Sequence, residues 1–296
     1  MKSYVCITGA SGGLGKAFVI ECAARGWDLF LTDVHAEPLE ALAQGVERLY
    51  NVRVLTHAAD LTDPAARAAL WERVHRLGLR FHALINIAGI DFEGGFDERR
   101  PEELLAILRL NVENSVEMTR RVLSYRDPAR TLHIINVSSL ASFYPMPLKA
   151  VYAASKRFLL DLSRALNEEL RADGVTVTAL CPAGLPTTPD CIEKIEAQGF
   201  LGRLTTLDVG PVARQTLNAA LKGRSVVIPG VVNRALRLLG GLFPAAWVAH
   251  LIHRRWSRSR AGAEEQRSTA TAPALSPGEP VRLPADLPLS LVEVTP

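Results

Sequence analysis

Apolar residues along this chain follow two rhythms. Short, nearly continuous runs recur at YVCIT, DLFLTD, VRVLTH, ALINIA, LHIINV, VTVTAL and SVVIP, the pattern of strands covered on both faces of a sheet. Between them the apolar positions return every three to four residues, which predicts helices at about 13–26, 36–49, 64–77, 101–124 and 151–172. In the last of these, Leu159, Leu162, Leu166 and Leu170 mark the inner stripe. Pro64 and Pro101 stand where the missing N–H of a first turn costs little. Gly26, Gly78 and Gly174 stand where helices should stop. Strands and helices alternating in this way imply right-handed β-α-β crossovers. The predicted fold class is α/β, a doubly wound parallel sheet of about seven strands in the order 3-2-1-4-5-6-7 with helices on both faces. The chain has no internal repeat and lacks the evenly spaced short strands of a sandwich.

Composition limits the rest. A chain of 296 residues with 48% hydrophobic content can bury one full core. Cys6, Cys22, Cys181 and Cys191 form no C-x-x-C pair, which suits a reducing cytosol better than a secretory route. The glycines after MKSYVCIT arrive before a signal-peptide core could form, and no stretch of about eighteen uncharged apolar residues follows. The expectation is a cytoplasmic protein, soluble or at most peripheral to a membrane. The net charge of +3 hides an asymmetry: eight Lys or Arg and no Asp or Glu lie between Lys222 and Arg260. Residues 1–230 read as one domain and 231–260 as a basic amphipathic extension that Pro244 divides into two short helices. Residues 261–296, rich in Ala, Ser, Thr and Pro, read as a disordered tail.

Candidate chemistry lies at three residues. Tyr152 and Lys156 stand four residues apart in VYAASKRFLLDLSRAL, and Ser139 lies thirteen residues upstream of Tyr152 in IINVSSLASF. One helical turn puts the phenol and the ammonium on one face. A phenol, with an ordinary pKa of ~10, needs a fixed positive charge beside it to act as acid or base at neutral pH. Ser139 follows LHIINV and precedes Pro145 and Pro147, so it falls at the C-terminal end of a buried strand, where sites of open α/β sheets collect. Alone, a Y-x-x-x-K pair equally describes a solvated helix face, and its companions decide.

TGASGGLG follows the first strand and opens the first helix, bringing Gly9, Gly13 and Gly15 into a turn whose backbone can approach a pyrophosphate closely. The second strand ends at Asp33, where a carboxylate would accept hydrogen bonds from an adenosine ribose and repel a 2′-phosphate. Val34 and His35 follow, and the glycine turn carries no basic residue. NAD(H) is therefore favoured, with NADP(H) left open. A helix cap is the structural alternative for Asp33.

In this order and spacing the residues resemble the short-chain dehydrogenase/reductase family over about residues 3–230. TGASGGLG matches that family's T-G-x-x-x-G-x-G. AADL at 58–61 resembles the segment in which an Asp, here Asp60 with Leu61 beside it, holds the adenine amino group. NIAG at 86–89 resembles N-N-A-G; Asn86, Ala88 and Gly89 are kept, while Ile87 replaces the second Asn, a shift in hydrogen bonding at the sheet edge. LNVENS places Asn111 at the family's fourth catalytic position, beside Ser139, Tyr152 and Lys156. CPAGLPT at 181–187 resembles C-P-G-P-x-x-T, with Ala183 and Gly184 standing where Gly-Pro is usual.

The resemblance implies a Rossmann-type fold, with 1–230 as the catalytic domain. It implies cofactor contacts from Gly9, Ser11, Gly13, Leu14, Gly15, Asp33, Asp60, Leu61, Asn86, Ala88, Gly89, Tyr152, Lys156, Pro182, Leu185 and Thr187, and no metal. The Leu185 backbone and Thr187 hydroxyl would hold the nicotinamide carboxamide. The implied activity is interconversion of a secondary alcohol and a ketone, with Tyr152 as general acid or base, Ser139 bonded to the substrate oxygen and Lys156 on Tyr152 and the ribose. Asn111 would hold a relay water; a side chain satisfying a helix irregularity is its other reading. A homodimer or homotetramer through the helices around 101–124 and 151–172 also follows from the resemblance. The alternative function is a dinucleotide-sensing or membrane-peripheral binding protein on the same fold.

Phe143, Tyr144, Pro145, Met146, Ile192, Ile195, Phe200 and Leu201 favour an apolar substrate, lipid-like, steroid-like or acyl. Cys181 should pack at a strand end. His57, His82 and His133 show no metal-ligand spacing and read as structural or surface residues. The extension at 231–260 is either a lid or subunit contact over the cleft or a peripheral membrane contact, with Trp247 and Trp256 at the interface. Nucleic acid is not expected as a partner, since no stacking platform is interleaved with the basic residues.

Overall fold

The computed structural model describes residues 2–187 and 204–254. One sheet of seven parallel strands has the order β3-β2-β1-β4-β5-β6-β7. The strands are β1 Ser3–Thr8, β2 Asp28–Asp33, β3 Val54–Ala58, β4 Arg80–Asn86, β5 Leu132–Val137, β6 Val175–Leu180 and β7 Val226–Val227. The strand order is the predicted one, although β7 is shorter than SVVIP foretold. Along β1, Val5 and Ile7 enter one core with Phe18, Leu29, Leu31 and Leu217, while Tyr4 and Cys6 enter another with Phe30, Trp71, Leu84 and Met118. Alternate side chains leave opposite sheet faces, and both faces are covered. That is why the strand runs are continuously apolar.

The helices are α1 Gly13–Ala23, α2 Ala36–Leu49, α3 Pro64–Arg76, α4 Pro101–Ile107, α5 Asn114–Ser124, α6 Ala150–Glu169, α7 Val209–Ala220 and α8 Val231–Gly240. Pro64 and Pro101 open α3 and α4. The expected single helix over 101–124 is interrupted: Leu108–Glu113 winds as a π-helix between α4 and α5. Asn111 sits inside this wide turn. Its Nδ2 donates to the Ile90 carbonyl at 3.0 Å and its Oδ1 accepts from the Ile90 N–H at 2.9 Å. The Ser115 hydroxyl takes the Asn111 carbonyl at 2.8 Å. The ladder shifts to the wider spacing, with the Asn114 N–H bonded to Arg109 O, and side-chain bonds brace the turn.

Arg67, 2% exposed, braces the same region. It donates to Glu117 at 2.6 Å, to Glu113, and to the Leu61 carbonyl at 2.9 Å. One guanidinium therefore fixes the AADL segment against the π turn and α5. After β7, α8 lies in the same compact unit as the sheet, and residues 245–254 beyond Pro244 are helical again. Ile192, Ile195, Phe200, Leu201, Cys191, Trp256 and the 261–296 tail lie outside the described residues.

Candidate active site

The cofactor end is built on close approaches of backbone. Gly9 has φ +65°, and a Cβ there would lie 2.9 Å from Ala88 N; at Gly15 it would lie 2.1 Å from Gly9 O. No larger residue fits either place. Thr8 ends β1 with its hydroxyl accepting the N–H groups of Ile87 at 3.0 Å and Ala88 at 3.2 Å. This explains how Ile87 is accommodated: its N–H is held whatever its side chain, and that side chain packs on the core. Gly12 caps α1 without a side-chain bond, and the first turn contains no acid. The amides of the first helical turn, from Gly13 on, would thus face an anion at the positive end of the helix, while those of Ala10 and Gly12 are bonded to Thr32 O and Gly9 O.

Asp33 reaches back to this turn, accepting from the Ser11 N–H at 2.9 Å and the His35 N–H at 3.4 Å. Its carboxylate therefore anchors the turn while standing at the end of β2. Asp60 accepts from the N–H and the hydroxyl of Thr62 at 2.9 and 2.7 Å. Leu14 and Leu61 are buried. A Cβ on Gly13 would meet the Thr187 Cα at 2.9 Å, so the 181–187 segment descends onto the glycine turn. There the Thr187 N–H bonds Leu185 O at 2.8 Å, and Pro182 O accepts the Leu140 N–H at 2.7 Å.

Asn86 is used differently from its neighbours. Its buried side chain donates to Asn136 at 2.9 Å and Thr119 at 3.3 Å, and Asn136 donates to Ser163 at 2.9 Å. That network ties β4 to β5, α5 and α6 inside the core. The Asn86 Oδ1 is buried without a partner.

At the C-terminal end of β5 the chain is sewn to α6. The Ser138 hydroxyl donates to the Lys156 carbonyl at 2.7 Å, and Lys156 Nζ donates to the Val137 carbonyl at 2.8 Å. Ser139 follows in extended backbone, and its hydroxyl caps the 3-10 turn Leu140–Phe143 by accepting from the Ala141 N–H at 3.1 Å. Half-buried Tyr152 lies two helical positions into α6. Lys156 Nζ is 5.6 Å and Lys149 Nζ 5.8 Å from its ring centroid. Asn111 Nδ2 also bonds Ser155 at 3.1 Å, and a Cβ on Gly89 would lie 3.0 Å from Asn111 Oδ1 and 3.2 Å from Lys156 Nζ. Gly89, Asn111 and Lys156 therefore converge on one point.

Charge around the phenol is uneven. Burial lowers the Lys156 pKa to about 8, against the upward pull of Asp91. Burial also works against the Lys149 ammonium, but Asp91 at 2.6 Å and Glu93 at 3.2 Å outweigh it, and its pKa is raised. Lys149, Asp91 and Glu93 carry no motif of their own, and only their placement around Tyr152 marks them. Thr8 was not singled out in the sequence, although it is the first letter of the glycine motif. The buried thiols stand apart, with Cys6 pushed up by burial to about 12 and Cys181 to about 11. His82 is held neutral, its pKa lowered by burial to about 4. Among the described residues no three His, Cys, Asp or Glu side chains are grouped to hold a metal ion.

A family model described as short chain dehydrogenase matches residues 3–195. The 17-beta-hydroxysteroid dehydrogenase type 3 of Homo sapiens is 32% identical over 189 residues, covering 63% of this chain and 60% of that protein. The very-long-chain 3-oxoacyl-CoA reductase-A of Danio rerio is 27% identical over 206 residues, covering 66% of this chain and 61% of that protein. The chain thus spans about 60% of the length of these curated relatives. A solved short-chain dehydrogenase from Sphingobium yanoikuyae in complex with NADPH matches at a TM-score of 0.68 and 28% identity, covering 94% of this chain and 99% of that one. With its family model matched over residues 3–195, from the first strand past the sixth, on a sheet of the expected order, the chain belongs to the short-chain dehydrogenase family.

Proposed function

We propose that this protein is a nicotinamide-dinucleotide-dependent oxidoreductase that interconverts an apolar secondary alcohol and its ketone. The observation that carries this reading is that Tyr152 stands on α6 beside the Lys156 ammonium, which is itself bonded to Val137 O at the end of β5, two residues before Ser139. The cleft residues fit a dinucleotide. Three glycines admit backbone but no side chain, and the start of α1 is left uncapped. When bound, the dinucleotide supplies or takes up a hydride at its nicotinamide ring.

The chain's own residues supply the proton and the orientation. Tyr152 donates its phenolic proton to the oxygen of a ketone being reduced, or accepts the alcohol proton in the reverse direction. Positive charge on Lys156 eases loss of that proton, while the charge of Lys149 is taken up by Asp91 and Glu93. Ser139 Oγ donates to the substrate oxygen as its charge grows. Lys156 is held by Val137 O with further N–H donors to spare, and these serve the ribose beside the nicotinamide. Asn111 fixes the loop after β4 through Ile90 and stands beside Lys156, where it orders the path by which protons return to the ammonium.

Asp33 at the adenosine end favours NAD(H). Its carboxylate is fixed by Ser11, and exposed Val34 follows without a basic residue to receive a 2′-phosphate. Phe143, Tyr144 and Met146 follow Ser139 and give the substrate side an apolar wall. The two relatives above are named for a hydroxysteroid and a very-long-chain 3-oxoacyl-CoA, each with a large apolar part. Exposed Leu105, Leu108, Val116 and Phe158 on and between α4, α5 and α6 make these helices the face of a homodimer or homotetramer, which sedimentation equilibrium reads directly.

The test is Tyr152→Phe, assayed on a panel of apolar ketones and secondary alcohols with NAD(H) and with NADP(H). The rate should fall about 10²–10⁴-fold while dinucleotide affinity, read by fluorescence titration, stays within about twofold. Wild-type protein should turn over faster with NAD(H). Retention of wild-type turnover by Tyr152→Phe would end this reading.

A further inference from the structure

Helix α8 is attached to the domain by the wrong face for a soluble helix. Asn233, 1% exposed, points inward, and its Nδ2 donates to the carbonyls of Thr205 at 3.1 Å and Pro229 at 3.0 Å. The Tyr144 hydroxyl donates to Leu236 O at 2.7 Å, and the Arg237 guanidinium lies 4.9 Å from the Phe143 ring centroid. Gly240 faces the Tyr144 ring so closely that a Cβ there would lie 2.4 Å from Cε1. The apolar side chains go the other way. Leu238 is 65% exposed, and Leu239, Leu242, Phe243, Trp247 and Leu251 are also more than half exposed. They extend the stripe across Pro244 into helical residues 245–254. Isolated exposed apolar residues are ordinary, but a contiguous ridge marks a surface that something covers.

The charge beside the ridge is mostly positive, although Arg214 of the groove already pairs with Glu21 at 2.8 Å. A groove of about 630 Å³ between α7, β7 and the start of α8 is lined by Arg214, Lys222, Arg224 and Arg234 together with Asn218 and Gln215. Arg234 belongs to both groove and helix. No Asp or Glu occurs between Asp208 and Glu264. A second copy of the chain docking by this face would bring like charges together, which is unfavourable. A nucleic acid would leave the Leu, Phe and Trp ridge uncovered. No helix among the described residues is long and apolar enough to cross a membrane, so a lipid contact here is in the plane of the surface.

We propose that α8, residues 245–254 and the adjoining basic groove form a docking surface for an anionic phospholipid bilayer. The apolar ridge enters the boundary between headgroups and acyl chains, with Trp247 at that level, and the groove takes the lipid phosphates. Because α8 is bonded to Tyr144, docking also holds the segment after Ser139 against the membrane. The proposal stands whether or not the reaction above is the right one.

Flotation of the full chain with vesicles tests it. Phosphatidylcholine vesicles containing phosphatidylserine should carry the protein up, and vesicles of phosphatidylcholine alone should carry roughly tenfold less. Leu242→Glu combined with Trp247→Glu should abolish flotation. Lys222→Glu combined with Arg234→Glu should weaken it roughly tenfold, with added salt doing the same to wild type. All these positions are on the surface, and an unchanged melting temperature confirms that the variants fold. Equal flotation of wild type and the Leu242→Glu, Trp247→Glu variant overturns the proposal, as does absence of wild type from anionic vesicles. If only a chain lacking residues 261–296 floats, the tail is the occupant and the proposal fails. If the ridge variant splits a dimer without changing flotation, a second copy is the occupant, and it fails again.

Discussion

Helices α6 and α8 are both amphipathic, yet they meet the domain with opposite faces. α6 buries Leu159 and Leu160 against the sheet, and on its inner side it also buries Ser155, Lys156, Ser163 and Asn167. Each of these polar groups has a partner waiting. Ser155 bonds Tyr152 O at 2.7 Å, Lys156 bonds Val137 O at 2.8 Å, Ser163 bonds Leu159 O at 2.6 Å, and Asn167 accepts from Val177 N–H at 3.0 Å. On α8 the buried position is Asn233, and the leucines face out. The difference teaches that an apolar stripe identifies a helix without saying which side docks. An unpartnered buried polar group costs about 1–3 kcal/mol, so a polar face turns inward where carbonyls or amides are placed to meet it, as for Asn233 Nδ2, although Asn233 Oδ1 stays without a partner. In α6 that arrangement carries the proposed proton-transfer residues, and in α8 it frees an apolar face.

The sharpest way to break the α6 side is Lys156→Met. Turnover should fall about 10²–10⁴-fold, since the cation beside Tyr152 is gone. Stability should move the opposite way. Lys156 has a pKa of about 8 in the fold against an ordinary 10.5, so the folded state resists protonation. The resulting penalty is complete below about pH 8 and disappears as pH climbs toward the unfolded value. At neutral pH it is on the order of 3 kcal/mol, and the lost bond to Val137 O offsets about 1 kcal/mol of it. Thermal melts should show the variant more stable than wild type at about pH 7 and the gain shrinking by about pH 10. A variant that is inactive and also less stable at neutral pH would mean that Lys156 holds the fold rather than the charge.

Gly89→Ala probes the same point more gently. The new Cβ would crowd Asn111 Oδ1 and Lys156 Nζ at 3.0 and 3.2 Å, and overpacking of this kind costs about 1–3 kcal/mol. Displacement of the ammonium should lower kcat about tenfold. An unchanged kcat would show that Lys156 tolerates movement away from Val137 O.

The strand order and the placement of Ser139 at a strand end were readable because buried parallel strands are apolar on both faces and glycines punctuate the turns. Tyr152 and Lys156 were readable because four residues make one turn of helix. An irregularity at Asn111 was readable only as that residue's other role, and the break in 101–124 itself was not, since it depends on Asn111 finding the backbone of Ile90, a partner 21 residues away that no local pattern announces. The inward turn of Asn86 depends on Asn136, 50 residues away. Lys149, Asp91 and Glu93 assemble around Tyr152 from separate segments. For α8, amphipathicity and charge were plain in the chain, while the direction of its leucines depended on Tyr144 and on the carbonyls of Thr205 and Pro229.

Asn233→Ala tests whether those carbonyls hold α8. Removing two bonds from a buried amide should cost about 1–2 kcal/mol. Because α8 follows the last strand, the loss should be local. Hydrogen exchange at 231–240 should accelerate about tenfold or more, while amides of β1, β4 and β5 keep their protection. Acceleration throughout the sheet would mean that α8 supports the core as α6 does.

The smallest effect belongs to the exposed ridge. A leucine truncated to alanine in a packed core costs about 2–5 kcal/mol, and Leu160 on α6, with 0% exposure, should behave so. Leu238 on α8 occupies an equivalent place in its own helical stripe but is 65% exposed. Leu238→Ala should change stability in solution by less than about 0.5 kcal/mol, measured by urea denaturation. Alanine is also a good helix former, so loss of helix propensity cannot mask the result. A cost approaching that of Leu160→Ala would mean that Leu238 is buried in solution by a second copy or by the tail, and the two helices would then follow one rule. A near-zero change, set beside a large loss at Leu160, keeps them apart: one apolar stripe holds the fold, and the other is held ready by it.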